Sequence, residues 1–198
     1  MEFDDVIRRR RMVRNYRPDP VPTEALDRVV DAGLRAPSAG NSQGLGFVVV
    51  TEPGIRLAIA NLAGEERYVA LGFDPWISRA PAHIVITTSE WVYRERYREP
   101  DKLGPEGEEI HWSVPYWWVD GGTALMAILL AAVNEGLAAG FLGVHSLPDL
   151  AALLEIPEHH SPLGIVTVGY PLPDRRSSSL DRGKRPRTAV VHHERWTG

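Results

Sequence analysis

Apolar residues recur at helical spacing in some stretches and run together in others, and the two patterns divide the chain into elements. Phe3, Val6, Ile7 and Arg10 share one helical face, so residues 1–11 are predicted as a first helix whose last turn carries arginines that complement the helix dipole. Pro18, Pro20 and Pro22 then impose an extended connection, since each disfavours helix in the residue before it. Thr23 has the character of an N-cap with Glu24 behind it, and Leu26, Val29, Val30, Gly33 and Leu34 form a stripe that stops before Pro37. The β-branched run Phe47-Val48-Val49-Val50, bounded by turn residues, predicts a strand over 46–51. A helix over 54–63 and a less regular stretch lead to a second buried strand over 83–88.

Residues 90–115 are polar, with scattered aromatics and no clear period, and read as a long excursion or lid. From Trp117 the chain enters its most hydrophobic helix, which ends near Gly136; apolar on all sides, it is expected at the centre of the core. Strands over 140–144 and 163–168 flank a short helix carrying Leu147, Leu150, Ala151 and Leu154, and a basic, extended tail runs over 171–198. No repeat or second domain is evident, so residues 1–198 read as one domain with elements ordered as in an α+β layered fold.

Composition narrows the function classes. A chain of 198 residues that is 43% hydrophobic and 24% charged can bury a substantial core. Its net charge of −4 argues against a general nucleic-acid binder. The absence of cysteine removes disulfides, thiolate metal sites and cysteine nucleophiles, and fits a cytoplasmic location. No apolar leader is visible, and the longest apolar run, 124–133, falls short of the roughly 20 residues a bilayer span needs, so no membrane association is expected.

Two segments carry candidate chemistry. Arg8, Arg9, Arg10, Arg11 and Arg14 form a basic cluster that is either a clamp for phosphate oxygens, which guanidinium forks suit, or a solvated helix end. A second basic set, Arg182, Lys184 and Arg185, lies in the Pro- and Ser-rich tail. The loop Pro37-Ser38-Ala39-Gly40-Asn41-Ser42-Gln43 offers hydroxyl, amide and bare backbone groups with little bulk; it is either a ligand-reading loop or a plain helix-to-strand connection. Its Gly40-Asn41-Ser42-Gln43-Gly44 formally matches a serine-hydrolase elbow, but that elbow needs a strand before and a helix after, the reverse of the order here. The seven histidines make no metal-binding spacing, His83 and His145 read as core residues, and no dinucleotide or Walker fingerprint is present. Trp112, Trp117 and Trp118 can stack on a ligand ring or serve packing and dimer contact.

Arg10-Arg11-Met12-Val13-Arg14, then Pro20-Val21-Pro22, then Ala36 to Gln43 before a β-branched strand, resemble the opening of the FMN-dependent nitroreductase family. Leu129-Leu130-Ala131-Ala132 leading to Glu135-Gly136-Leu137 is similar to that family's central helix, and Ile156-Pro157, Val168-Gly169-Tyr170-Pro171 and Gly183-Lys184-Arg185-Pro186 resemble its later landmarks. The resemblance implies an α+β fold with a mixed, largely antiparallel central sheet flanked by helices, in an interlocked homodimer with two FMN sites at the subunit interface. By position, Arg10, Arg11, Met12 and Arg14 would line the phosphate and ribityl end, completed by Arg182, Lys184 and Arg185. Pro37, Ser38, Ala39 and Asn41 would reach the flavin from the partner, Leu142 and Gly143 would place backbone donors near the reactive ring edge, and Asp120 would approach the ribityl or pyrimidine side. Met12 stands where a serine is common, and Gly44-Leu45 where Pro-Trp is frequent.

The activity so implied is ping-pong hydride transfer from NADH or NADPH through flavin N5 to a nitroaromatic, quinone or similar small-molecule acceptor, with no protein side chain as catalytic nucleophile and no metal. A specialised flavin enzyme of the same family (dehalogenase, flavin-fragmenting or oxidase) and a non-catalytic binder of a phosphorylated ligand are the alternatives.

Overall fold

The structure is a computed structural model that describes residues 1–196; the last two residues of the expected tail, Thr197 and Gly198, lie outside the described residues. Four strands, β1 (Leu45–Val50), β2 (Ala82–Thr88), β3 (Ala138–Gly143) and β4 (Ser161–Gly169), form one sheet in the order β1-β2-β4-β3, with every neighbouring pair antiparallel. This corrects the expectation of a mixed sheet: among the described residues, parallel pairing is confined to an isolated bridge between Met12 and Ala139.

β2 is buried at every position and lies inside the sheet, which is why it reads as a continuous apolar run. Its side chains alternate between two core layers. Ile84 and Ile86 join Leu26 and Val29 of α2 (Thr23–Leu34) and Ile128, Leu129 and Ala132 of α7 (Tyr116–Asn134). Val85 faces the other layer, with Ile59 of α3 (Pro53–Leu62), Ile77 of α5 (Trp76–Arg79) and Leu150 of α8 (Leu150–Leu153). His83 points the same way; its Nε2 lies 2.8 Å from the Ile77 carbonyl, which can only accept, so that nitrogen carries the proton and Nδ1 is left bare. Burial pushes His83 down to about 4, so it is a neutral core residue, as expected. His145, by contrast, is exposed in the turn after β3.

Helix boundaries fall within about two residues of the sequence expectation for α1 (Phe3–Arg9), α2 and α3, the usual fraying range. Two regions depart from it. The stretch expected to be irregular contains α4 (Glu65–Ala70) and α5, joined by the buried Glu65 carboxylate, which accepts the Ile77 and Ser78 backbone N–H groups at the start of α5. The excursion expected to lack period contains α6 (Glu90–Tyr97), capped by Ser89 Oγ, which accepts from the Val92 N–H.

Nor is α7 covered on all sides. Trp117, Asp120, Gly121, Ala124 and Ile128 face inward, whereas Tyr116, Val119 and Met126 are 45%, 47% and 46% exposed. These three fall on one stripe, so the helix is apolar all round while the chain covers only one of its faces. By length and composition α7 could cross a membrane, but its inner face is the core just described.

Candidate functional site

The N-terminal arm and the start of the tail meet along one edge of the molecule. Arg14 N–H donates to Asp174 Oδ2 at 2.9 Å, Asn15 Nδ2 donates to the Pro173 carbonyl at 2.8 Å, and Leu172 N–H donates back to the Asn15 carbonyl at 3.0 Å. Pinning these strands of chain together leaves a hollow of about 290 Å3. Arg14, Arg175, Arg176, Ser177 and Ser178 supply its polar lining, and Phe73, Trp76, Phe141 and Leu142 its apolar walls.

The electrostatics of this hollow are one-sided. Arg14 places its guanidinium carbon 5.8 Å from the Trp76 ring centroid, and Arg175 lies 4.8 Å from that of Phe73. Among the described residues neither has a carboxylate within salt-bridge distance; the carboxylate in the lining, Asp74, pairs with Arg79 at 3.3 Å. Stacking on a ring face leaves the N–H edges of a guanidinium free, which suits a planar ligand bearing an anionic group.

The second concavity, of about 450 Å3, is formed by the helix-to-strand loop: Pro37, Ser38, Asn41 and Gln43 line it with Arg35 and Phe47. The loop backbone is unusual. Gly40, Asn41 and Gln43 have φ of 62°, 55° and 55°, so two non-glycine residues occupy the left-handed region within three positions. Local bonds hold it: Asn41 N–H to the Ser38 carbonyl (2.8 Å), Ser42 Oγ to the Ala39 carbonyl (2.6 Å) and Gln43 N–H to Ser38 Oγ (3.0 Å).

The sequence-predicted residues therefore fall into separate places on one chain. Arg14 and Leu142 share the first hollow, with Gly143 next along β3. Pro37, Ser38 and Asn41 share the second, and Ala39 lies between them in the loop. Arg10 is half-buried at the end of α1 and Met12 sits on the bridge to Ala139, whereas Arg11 turns away into a different cleft with Arg9 and Val13. Such alternation is what an extended arm dictates. Arg182, Lys184 and Arg185 are exposed and lie outside the first hollow; Arg185 Nη2 donates to the Ala189 carbonyl at 2.7 Å. The tail bends into short 3-10 turns at Ser178–Arg182 and Arg187–Ala189, where an extended course was expected.

Asp120 lies in neither hollow. It is buried on α7, and its Oδ2 accepts from Ala39 N–H at 2.8 Å and Tyr93 Oη at 2.7 Å. Sequence reasoning missed Phe73, Trp76, Arg175, Arg176, Ser177 and Ser178. Only the Arg175-Arg176-Ser177-Ser178 run carried a readable signal, the same arginine and hydroxyl chemistry that singled out the arm. Trp112 and Trp117 pack within the protein, 5.5 Å apart between ring centroids, with Tyr97 4.6 Å from Trp112. Among the described residues no group of three His, Asp or Glu converges as a metal site would require.

An antiparallel α+β sheet whose arm and tail enclose a basic, aromatic-walled hollow defines the class of fold. Within that class the chain belongs to the nitroreductase family, whose model matches residues 7–170. It is 30% identical to the NAD(P)H FMN reductase of Bacillus subtilis, over 94% of this chain and 71% of that protein. It is also 27% identical to an iodotyrosine deiodinase of Haliscomenobacter hydrossis, over 96% of this chain and 89% of the relative. Among solved structures, the hypothetical oxidoreductase YcnD of Bacillus subtilis superposes with a TM-score of 0.76 at 26% identity, covering 100% of this chain and 76% of YcnD.

Proposed function

We propose that this protein is an FMN-dependent oxidoreductase that takes electrons from NADH or NADPH and passes them to a small aromatic acceptor. The observation that carries the reading is the first hollow: guanidinium groups of Arg14 and Arg175 stacked on aromatic rings, without acidic partners, beside the hydroxyls of Ser177 and Ser178. That donor set fits a flavin mononucleotide, which has a fused planar ring and an anionic tail. When bound, FMN would supply the capacity to accept and release hydride. Arg14 and Arg175 would bind anionic oxygens, Arg10 would approach the same edge from the arm, and Leu142 and Gly143 would present backbone groups to the ring. The reach of Arg182, Lys184 and Arg185 would be completed only by a second chain.

A homodimer is part of the proposal. A compact monomer of 22.0 kDa would expose about 9,300 Å2, whereas this chain exposes 12208 Å2. The surplus accompanies the uncovered stripe Tyr116, Val119 and Met126 on α7 and the exposed Phe3 and Ile7 on α1. It is of the size that obligate dimers bury. In such a pair the loop at Pro37 to Asn41 would face the flavin held by the other subunit.

The identity to an iodotyrosine deiodinase supports a second reading, reductive removal of halide from a phenolic substrate. One experiment separates the readings. The purified protein is expected to carry a flavin band that bleaches with NADH or NADPH and returns on adding a nitroaromatic or quinone. Return only with a halogenated phenol would favour the deiodinase reading, and a protein with no affinity for FMN would end both.

A further inference from the structure

Asp120 is the inward-facing carboxylate of the central helix, and the Ala39 N–H and Tyr93 hydroxyl hydrogen bonds converge on one of its oxygens. Both donors belong to the architecture of the 37–43 loop. Ala39 is in the loop itself, and Tyr93 packs so closely beneath its end that a Cβ on Gly44 would lie 2.6 Å from Tyr93 Cε2. Four residues along α6, the Tyr97 ring sits where a Cβ on Gly40 would be, at 2.7 Å. Between them, Arg96 Nε donates to the Gly40 carbonyl at 3.0 Å, and ahead of α6 the Ser89 N–H donates to the Gly44 carbonyl at 2.9 Å. The 90–115 excursion is therefore a bracket under the loop, with its i and i+4 aromatics aimed at the two glycines.

The bracket also accounts for the strain. Left-handed backbone at Asn41 and Gln43 persists only where the surroundings over-determine it. The bracket's bonds fall at Ala39, Gly40 and Gly44, on either side of the strained Asn41 and Gln43. Burial and the neighbouring Asp120 carboxylate raise the Tyr93 pKa, keeping its hydroxyl protonated as a donor.

We propose that Asp120, working with Tyr93 and Arg96, is a positioning residue that locks the 37–43 loop in its strained shape before any ligand arrives. The claim of relevance to flavin rests on the function proposed above; the lock itself does not. Asp120 then acts on the cofactor through the loop, without touching it. The same excursion gives each subunit a stiff loop to present to the flavin held by the other.

The test is amide hydrogen exchange on the full-length, FMN-free protein, read at Ala39, Asn41, Ser42 and Gln43, with FMN affinity measured alongside. Asp120→Ala removes a charge-assisted acceptor, so exchange at these amides is expected to quicken by about 10- to 100-fold, with a parallel loss of FMN affinity. Asp120→Asn keeps one acceptor oxygen and is expected to restore most of the protection. Tyr93→Phe, which deletes one hydroxyl and keeps the ring, is expected to quicken exchange by a few-fold and serves if Asp120→Ala does not fold. Unchanged exchange in both Asp120→Ala and Tyr93→Phe overturns the proposal, as does lost FMN affinity with the loop still protected, which would mean direct contact between Asp120 and the flavin. A wild-type protein that ignores FMN would sink the flavin reading while the exchange data still decide the lock.

Discussion

The 37–43 loop and the 175–185 tail both carry serine hydroxyls and a glycine with positive φ, yet they are held in opposite ways. Gly40 (φ 62°, ψ 15°) and Gly183 (φ 68°, ψ −177°) both have positive φ, though Gly40 lies in the left-handed helical region and Gly183 in the extended region that glycine alone adopts readily. A Cβ on Gly40 would strike the Tyr97 ring, while one on Gly183 would meet nothing within 4 Å. The loop is bonded from α6 and α7, whereas Arg182, Lys184 and Arg185 are exposed and Arg176 pairs with Asp181 inside the tail itself. One half of the candidate site is thus braced from neighbouring helices, and the other is held by few bonds to the rest of the chain.

Substitutions can test that contrast. The largest expected effect is Gly40→Val, which combines left-handed strain with overpacking against Tyr97 and should cost about 3 kcal/mol in denaturant melts. Acid comes next and acts on the tail side, where Trp76 of α5 walls the first hollow and His83 lies behind it. His83 has its folded pKa lowered to about 4, so its contribution is complete above an unfolded value of 6.5 and is lost as pH falls from 6.5 towards 4. The loss should be on the order of 3 kcal/mol, and His83→Gln should flatten that part of the stability profile.

Arg14→Ala should weaken FMN binding by about 1.5–3 kcal/mol, read by flavin fluorescence titration, because the arm holds its arginine in place. Gly183→Ala meets no neighbour and is strained by its backbone alone, so it should cost about 1 kcal/mol, well short of Gly40→Val. Arg185→Ala, from the loosely held tail, should cost less than about 1 kcal/mol at moderate salt. If Gly40 and Gly183 variants melted alike, the distinction between the two regions would be wrong.

Much of the framework was legible in the sequence for a simple reason: α2, β1, β2 and β4 announce themselves by periodicity or by apolar runs between turn residues. α6 was not legible as a period because its faces carry alternating charges. Its clues were pairwise: Ser89 as cap, Glu90 with Arg94 at 2.6 Å, and Tyr93 four residues before Tyr97. α4 and α5 are too short for a period and depend on the Glu65 carboxylate, a tertiary contact.

The site divides in the same fashion. The loop and Arg14 could be picked out by residue type, whereas Phe73 and Trp76 become ligand walls only once the arm folds across them. Asp120 was singled out from the resemblance as a flavin neighbour, and no local pattern could reveal that its donors would be Ala39 and Tyr93.

The close packing at Gly44 carries a cost for redesign. A Cβ at residue 44 would lie 2.6 Å from Tyr93 Cε2, so the Tyr93 ring fills the space a larger residue there would need. Enlarging residue 44 would evict that ring and slacken the scaffold beneath, so the two positions have to be varied as a pair, in libraries that trade volume between them.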